Sequence, residues 1–262
     1  YKAMGTLDRC VESVLAQQVD GGLACILVDD GSPDESGAMC DAWAAKDDRV
    51  TVIHQDDLGV SGARNSGVAA ADSEFIVFLD SDDALRPGAL QAALTAQRAA
   101  PQDFVVWHYT TDEHDPAAVT ADAALRPQAG LARLWLDCLL AMPWNKLYRT
   151  DLAKQLPFDV QYTLGEDLQF VLDYIALLGQ TAPGFGYRVL NSPLTFYDCS
   201  RGGTLSTRYH ANYCDIWPKH FAKLNTACHA AGCLAEDMRP LHRAELQVFA
   251  EGVADIMRRD PS

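Results

Sequence analysis

Short apolar runs alternate with stretches of helical character along the first hundred residues. The apolar runs are unbroken, as in strands that are buried on both faces, and they cover residues 24–28, 50–53, 75–79 and 104–107. Helical spacing or helix-start residues occur at residues 7–15, 33–43, 61–71 and 87–98. This alternation predicts an α/β fold with a Rossmann-like, mostly parallel sheet flanked by helices.

Three residues favour initiation of the second predicted helix. Ser32 is a preferred N-cap, Pro33 suits the first turn, and Glu35 stands three residues after the cap, as in a capping box. We therefore expect this helix to begin directly after Ser32.

The second half of the chain is less regular. Residues 110–128 are rich in Asp, Ala, Thr and Pro and lack clear periodicity, which predicts an exposed connection and a subdomain boundary. A helix is predicted at residues 129–141, another begins at Gly165, and the chain from Asp215 onward is predicted to form a helical C-terminal extension. These boundaries divide the chain into residues 1–110, 111–214 and 215–262.

Acidic residues stand where two predicted strands end, which is where parallel sheets bind ligands. Asp80 and Asp82 flank one residue, so both carboxylates can converge on a hard divalent cation. Three carboxylates crowded at one strand end also repel each other unless a cation is present. The alternative is that Asp82 and Asp83 cap the next helix.

The other candidate residues carry weaker signals. Asp29 and Asp30 can accept hydrogen bonds from a base or a ribose hydroxyl, although Asp30 also suits an ordinary turn before a glycine. Arg64 suits a nucleotide contact and the capping of an acidic loop equally well. Glu166 and Asp167 begin a helix, whose dipole would keep a general base ionised, but periodicity alone favours ordinary first-turn charges.

Residues 197–206 are flexible and hydroxylated and include the cation Arg201 and the hydroxyl of Ser206. Such a segment can close over phosphates. An ordinary surface loop explains the composition almost as well.

Net charge and cysteine spacing narrow the function classes. The chain has 21 Lys and Arg against 36 Asp and Glu, a net charge of −15, which disfavours nucleic acid and anionic lipid as partners. A phosphate-bearing substrate would therefore need a bound cation or a few well-placed basic residues. The eight cysteines show no metal-binding spacing, and no apolar stretch has membrane-spanning length, so we expect a reduced, cytoplasmic protein. The sequence opens directly at a helix, and we expect an upstream segment to have been removed.

Three motifs in the first half appear in a fixed order: VDDGSPD at residues 28–34, GVSGARN at 59–65 and FLDSDD at 78–83. The second half adds WNKLY at 144–148 and GEDLQF at 165–170. Together they resemble the inverting family 2 glycosyltransferases of the GT-A fold, especially the bacterial enzymes that build capsular polysaccharides and exopolysaccharides. The resemblance implies a nucleotide-sugar-binding half at residues 1–110 and an acceptor-binding half at 111–214, followed by C-terminal helices at 215–262.

The resemblance also implies roles for the candidate residues. The expected nucleotide contacts are Tyr1, Asp29, Asp30, Arg64, Asp80 and Ser81. The expected ligands of Mn²⁺ or Mg²⁺ are Asp80 and Asp82. The expected catalytic base is Asp167, with acceptor contacts from Glu166, Trp144 and Asn145. The candidates for the diphosphate or a closing lid are Lys146, Arg201 and Ser206.

The implied reaction is a single inverting displacement, in which an acceptor hydroxyl deprotonated by Asp167 attacks the anomeric carbon. We expect a UDP-sugar donor and a saccharide or lipid-linked saccharide acceptor, which could bring the enzyme to the inner membrane surface as a peripheral protein. One alternative is a phosphatase resembling the haloacid dehalogenases, with Asp80 as nucleophile, although Asp83 departs from that motif. The other is a non-catalytic module that binds nucleotide sugars, against which the intact Asp80, Asp82 and Asp167 argue.

Overall fold

A computed structural model describes residues 1–162, 164–200 and 213–259 of the chain. Its helices are α1 (Leu7–Leu15), α2 (Ser36–Lys46), α3 (Gly59–Ala70), α4 (Ala89–Ala99), α5 (Leu131–Leu136), α6 (Thr150–Ala153), α7 (Glu166–Thr181), α8 (Tyr213–Ala230) and α9 (Ala235–Arg259). Its strands are β1 (Cys25–Asp30), β2 (Val50–Gln55), β3 (Phe75–Ile76), β4 (Ala84–Leu85), β5 (Phe104–Thr110), β6 (Ala123–Pro127), β7 (Lys146–Arg149) and β8 (Gly186–Phe196).

The strands form two sheets with helices packed on them. Strands β1 and β2 pair in parallel, from Cys25 opposite Val50 to Asp30 opposite Gln55. The larger sheet has the order β3-β7-β5-β8-β4, with β6 also pairing with β8. In it β5 and β8 are parallel, and the other pairs are antiparallel. The predicted α/β class with C-terminal helices is confirmed.

Three buried apolar clusters hold these layers together. The largest lies on the face of the large sheet that α5, α7, α8 and α9 cover, and it includes Phe104, Tyr148 and Phe170. A second joins α4 to the opposite face, and a third joins α1 and α2 to β1 and β2. Burial of these aliphatic and aromatic side chains is the main force that holds the sheets and helices in register.

The two predicted halves of the main domain share one sheet. Strand β8 lies beyond residue 110, yet it pairs with both β4 and β5 from the first half. The acidic end of the first half is therefore fixed directly against residues of the second half. The functional division at residue 110 stays a prediction.

The secondary structure differs from the prediction at three places. In place of the helix predicted at residues 129–141, a 3₁₀ turn at Gln128–Gly130 leads into α5, which ends at Leu136. The helix ends early because Cys138 has a φ of 55°, which a continuing helix does not allow. The predicted connection at 110–128 contains β6, an edge strand whose exposed side chains hid it. Of the predicted strand at 75–79, only Phe75–Ile76 forms a ladder.

The predicted cap of α2 is also wrong. The helix begins at Ser36, whose N–H donates to the Asp34 carboxylate over 3.1 Å. The N–H of Ser32 instead donates to Asp29 Oδ1 over 3.2 Å, so Ser32 belongs to the loop after β1. The Asp29 carboxylate accepts the Ser32 N–H, and this local hydrogen bond keeps Ser32 in the loop instead of at the helix cap.

The C-terminal helices pack on one another through a tight connection. The Cys233 N–H donates to the Cys228 carbonyl over 2.9 Å and the Gly232 N–H to the His229 carbonyl over 3.1 Å, which is a Schellman motif. Gly232 has the positive φ, 77°, that this motif requires. No helix among the described residues is both long and apolar enough to cross a membrane.

Candidate functional site

Residues 80–83, the acidic loop that follows β3, form a tight turn anchored to α1. The Asp83 N–H donates to the Asp80 carbonyl over 3.0 Å. Arg9 of α1 donates to the Asp82 carbonyl and forms an ion pair with Asp198 over 2.7 Å. Arg9 therefore fixes the main chain of the loop and links it to the segment after β8.

Asp83 has a different environment from its neighbours. It is fully buried, and its Oδ1 accepts the Asp198 N–H over 2.9 Å. Burial raises the pKa of Asp83 to about 8, a hydrogen bond from Asp198 opposes this, and the charges of Asp80 and Asp82 add to the rise. The Asp83 carboxyl is thus an interior group, and the alternative in which it merely caps the next helix does not describe it.

Arg64 of α3 lies at the centre of the site and contacts three carboxylates. Its guanidinium is 3.1 Å from Asp80 Oδ1 and 3.7 Å from Glu166 Oε1, and it donates to Asp167 Oδ1. The Arg64 side chain is 10% exposed. Burial lowers its pKa, but the three carboxylates outweigh burial and raise the pKa overall. Arg64 thus contacts the acidic loop, and its predicted contact with a nucleotide stays a prediction.

Asp167 stands in the first turn of α7, beyond Arg64. Burial raises the pKa of Asp167 to about 7, Arg64 opposes this, and the charges of Glu166 and Asp80 add to the rise. The side chain remains 29% exposed, so an incoming group can reach it. A carboxylate whose pKa lies near neutral pH is well matched to accept a proton from a hydroxyl group.

The helix that carries Asp167 begins in an unusual backbone conformation. Gly165 caps α7 with a φ of 77°, a region that glycine adopts without strain. Segment 158–159 before it is fixed to α3, because Asn65 exchanges two hydrogen bonds with the Phe158 main chain and Ser61 donates to the Asp159 carbonyl. Helix α3 thus positions both Arg64 and the approach to Asp167.

Asp29 and Asp30 are buried at the carboxyl end of β1. Asp30 Oδ1 accepts hydrogen bonds from Gln55 Nε2 over 2.7 Å and from the Leu58 N–H over 3.0 Å. Burial raises the pKa of Asp29, but hydrogen bonds from Ser32 and His54 outweigh it, so the pKa is below its ordinary value. Both side chains stabilise the loops around them.

Tyr1 lies beside the same loop. The Lys2 N–H donates to Ser32 Oγ over 3.1 Å and the Ala3 N–H donates to Ser36 Oγ over 2.8 Å. The Tyr1 side chain is 51% exposed. Its ring is thus available to a ligand at the end of β1.

Lys146 is not available for a diphosphate, contrary to the prediction. It is fully buried, and its Nζ donates to the carbonyls of Leu139 and Met142 and to Asn145 Oδ1. Burial lowers its pKa well below the ordinary value. Its donors stabilise the irregular chain after α5 instead.

Asn145 is equally unavailable for an acceptor. It is fully buried, and its Nδ2 donates to the carbonyls of Trp107 and Leu139 over 3.0 and 3.3 Å. A side chain whose polar atoms are all engaged in the core stabilises the fold rather than a ligand. The predictions for Lys146 and Asn145 are wrong because a sequence motif does not show which of its side chains face inward.

Trp144 belongs to an aromatic cluster with Tyr109 and Tyr197. Trp144 is 3% exposed, stacks on Tyr197 with ring centroids 5.3 Å apart, and meets the edge of Tyr109 at 5.1 Å. Sequence analysis includes Tyr197 only as the first residue of the candidate lid and gives no role to Arg9, because no periodicity or motif marks contacts over such long separations. Arg201 and Ser206 lie outside the described residues.

A comparison with known families shows the family to which the chain belongs. The model of the family described as "Glycosyl transferase family 2" matches residues 1–157, which is more than half of the chain. The chain belongs to this family. The match includes residues 80–83, and membership in this family argues against the phosphatase alternative, while the role of Asp80 stays a prediction.

This family 2 glycosyltransferase is similar to several bacterial proteins. It is 32% identical to EpsH of Bacillus subtilis over 62% of this chain and 48% of EpsH. It is 38% identical to the glycosyltransferase GlyG of Streptococcus pneumoniae over 44% of this chain and 38% of GlyG. It is 31% identical to the succinoglycan biosynthesis protein ExoO of Rhizobium meliloti over 71% of this chain and 57% of ExoO. The matched region thus spans about half the length of these relatives.

Solved structures agree with this assignment at the level of the fold. TarS 1–349 of S. aureus in complex with UDP-GlcNAc aligns with a TM-score of 0.69 at 17% identity, over 98% of this chain and 70% of that one. The expected GT-A fold of the family 2 glycosyltransferase is confirmed.

Proposed function

We propose that this enzyme transfers a sugar from a UDP-sugar to a hydroxyl group of a saccharide or lipid-linked saccharide, with inversion at the anomeric carbon. The observation that carries the proposal is the single guanidinium of Arg64, which joins the acidic loop at Asp80 to Asp167. A candidate base and a candidate diphosphate site are thereby held by two nitrogens of one guanidinium. In an in-line displacement the acceptor oxygen approaches one face of the sugar while the diphosphate departs from the other, so the base and the diphosphate site must be held in a fixed relation to each other.

The donor half of the site supports a nucleoside diphosphate. Tyr1 is exposed beside the loop after β1, and Asp29 and Asp30 end that strand. In this proposal the Tyr1 ring stacks on the base, Asp30 and Asp29 order the base and ribose pocket, and Ser81 lies at the ribose. UDP is the proposed nucleotide because the fold resembles that of TarS, which has been solved with UDP-GlcNAc and with UDP.

The residues present fit a divalent cation that is shared with the donor. The described part of the chain contains no group of three His, Cys, Asp or Glu side chains that could hold a metal ion alone. Asp80 and Asp82 supply carboxylate oxygens, and Mg²⁺ and Mn²⁺ commonly take one or two such ligands together with substrate phosphates. When bound, the ion would offset the negative charge of the departing diphosphate.

The chain's own residues would perform the proton transfer. Asp167 accepts the proton of the acceptor hydroxyl as its oxygen attacks the anomeric carbon, and the bond to the diphosphate breaks on the opposite face. The ion pair with Arg64 holds Asp167 in place, and the charges of Arg64 and Glu166 shift its pKa in opposite directions. One carboxylate suffices, whereas glycoside hydrolysis needs a second one as general acid.

The proposed acceptor is a growing surface polysaccharide or its lipid-linked precursor. ExoO, to which the chain is similar, is named for succinoglycan biosynthesis. With a lipid-linked acceptor, the enzyme would work in the cytoplasm at the inner membrane surface as a peripheral protein. Trp144 is buried against Tyr197, contrary to its predicted role as a direct acceptor contact, and the half-buried Tyr197 is the ring of this pair that we propose stacks on an acceptor sugar.

Release of UDP tests the proposal. Purified protein is incubated with Mn²⁺ and a panel of UDP-sugars, with and without saccharide acceptors, and UDP is quantified for the wild type and for Asp167→Asn. We expect turnover of one donor and a loss of about 10²–10⁴-fold in kcat in the variant, with donor affinity retained. Donor binding without turnover by the wild type would favour the non-catalytic binding module instead.

A further inference from the structure

His220 of α8 contacts the first turn of α7 through residues other than those that Arg64 contacts. It is fully buried, its Nε2 is 2.9 Å from the Leu164 carbonyl, and its Nδ1 is hydrogen-bonded to Gln169 Nε2. The two contacts lie on either side of Glu166 and Asp167 in the sequence. One imidazole therefore holds both flanks of the proposed base.

Gly165 is shaped to accept this ring. A Cβ atom at Gly165 would lie 2.3 Å from His220 Nε2, and the glycine has a φ of 77°. The imidazole thus fills the space that a side chain at the helix cap would need. Lys223, one turn along α8, adds a donor to the Gln169 carbonyl over 3.3 Å and an ion pair to Asp173 over 2.7 Å.

The neutral imidazole satisfies both partners without rearrangement. With the proton on Nε2, the ring donates to the Leu164 carbonyl and accepts from the Gln169 amide at Nδ1. The bond to Gln169 is buried and the bond to Leu164 is partly buried, so each is costly to leave unmade. The ring consequently sets the height and rotation of the turn that carries Asp167.

We infer that His220 is a positioning residue for transfer: it holds the first turn of α7, so that Asp167 meets the acceptor hydroxyl at attack distance. The inference rests on the proposed role of Asp167 as base. Because reacting atoms must meet within a few tenths of an ångström, a small shift of this turn reduces the chemical step much more than donor binding. The C-terminal helices, which lie outside the matched residues 1–157, thereby contribute to catalysis.

The test compares His220→Phe, which retains the ring volume but removes both hydrogen bonds, with His220→Gln, which can restore the donor to Leu164. Gln169→Leu removes only the second contact and serves if His220→Phe does not fold. Asn225→Ala is the control, because Asn225 bonds Glu245 and His242 on the α9 side of α8. For each variant we would measure kcat, the donor KM, the pH dependence of kcat, UDP affinity and the melting temperature.

We expect kcat to fall roughly tenfold or more in His220→Phe and less in Gln169→Leu, with donor KM and UDP affinity unchanged and partial recovery in His220→Gln. The acidic limb of the kcat profile should also shift in His220→Phe, because Asp167 moves relative to Arg64. Asn225→Ala should lower the melting temperature but leave kcat unchanged.

Unchanged kcat and an unshifted pH limb in His220→Phe, or in Gln169→Leu where His220→Phe does not fold, would overturn the inference. A loss of kcat in Asn225→Ala equal to that in the His220 variants would overturn it as well, since stability alone would then explain the effect. Failure of the proposed function looks different: Asp167→Asn would retain activity whatever the His220 variants do.

Discussion

Replacing Arg64 by Met should destabilise the enzyme strongly at neutral pH. The change removes a cation that contacts Asp80, Glu166 and Asp167 together, which no other cation does among the described residues. It keeps an unbranched side chain to pack against the Phe158 ring, whose centroid is 5.4 Å from the guanidinium. Three carboxylates would then face one another without this neutralising partner. The variant thus tests whether Arg64 holds the acidic loop and α7 together.

The magnitude follows from distance and exposure. At an effective dielectric constant near 20, each contact of 3–4 Å has a gross attraction of about 4–5 kcal/mol, most of which offsets the desolvation of the arginine. Removing one partner of a buried ion pair typically costs about 3–5 kcal/mol. Because Asp80 is 36% exposed and solvent screens it, we expect the lower end, a loss of about 3 kcal/mol.

The deficit should depend on pH. Arg64 lowers the pKa of Asp167, so without Arg64 this pKa rises further in the folded state and the folded variant binds more protons than the unfolded chain. A group whose pKa is raised in the folded state makes that state less stable as the pH rises through the raised pKa. The pKa of Asp167 is already about 7 in the wild type. The difference in unfolding free energy between wild type and variant should therefore grow from pH 5.5 to pH 8.

Urea unfolding followed by tryptophan fluorescence measures this difference at both pH values without added metal. Arg133→Met is the matched control, because Arg133 is 65% exposed and its partner Asp137 is also held by Arg126. We expect no measurable change in that control. A deficit in Arg64→Met no larger than in the control, or one that is the same at both pH values, would refute the reasoning.

Three further predictions follow from the site. Lys146→Met should lower the unfolding free energy by about 1–3 kcal/mol, since it leaves buried carbonyls without a donor. It should leave UDP affinity unchanged in calorimetry; weaker UDP binding would contradict the purely structural role of Lys146. Gly165→Ala should destabilise the fold by at least about 1–3 kcal/mol, the cost of the positive φ, with the close approach of the new Cβ to His220 adding to it; an unchanged melting temperature would contradict both. In the wild type, kcat should rise with pH through a limb near the Asp167 pKa of about 7; a limb near 4 would exclude a base with the raised pKa described here.

The parts of the fold that local pattern determines were predictable. Strands β1, β2 and β5 overlap unbroken apolar runs, and the acidic residues at the end of β1 are expected at the ligand-binding edge because parallel strands end there. The edge strand β6 was not predictable, because its side chains are mostly exposed and carry no apolar alternation. The early end of α5 depends on one backbone angle, at Cys138.

The candidate site was predictable in its residues but not in their contacts. Arg64 was left between two interpretations, and only the approach of α7, about a hundred positions further along the chain, shows that it faces carboxylates. Lys146 and Asn145 have the residue types of ligand contacts, yet both side chains are fully buried, Lys146 as the first residue of β7 and Asn145 directly before it. Contacts of this kind depend on tertiary packing, which no local motif encodes.

The most direct test of the account is calorimetry of UDP binding, with and without Mn²⁺, to the wild type and to Asp82→Ala. GDP, CDP and TDP are the controls for nucleotide choice. The account predicts that UDP binds in a Mn²⁺-dependent manner and that Asp82→Ala loses this dependence while remaining folded by circular dichroism. Absence of UDP binding, or Mn²⁺-dependent binding that survives in Asp82→Ala, would contradict it.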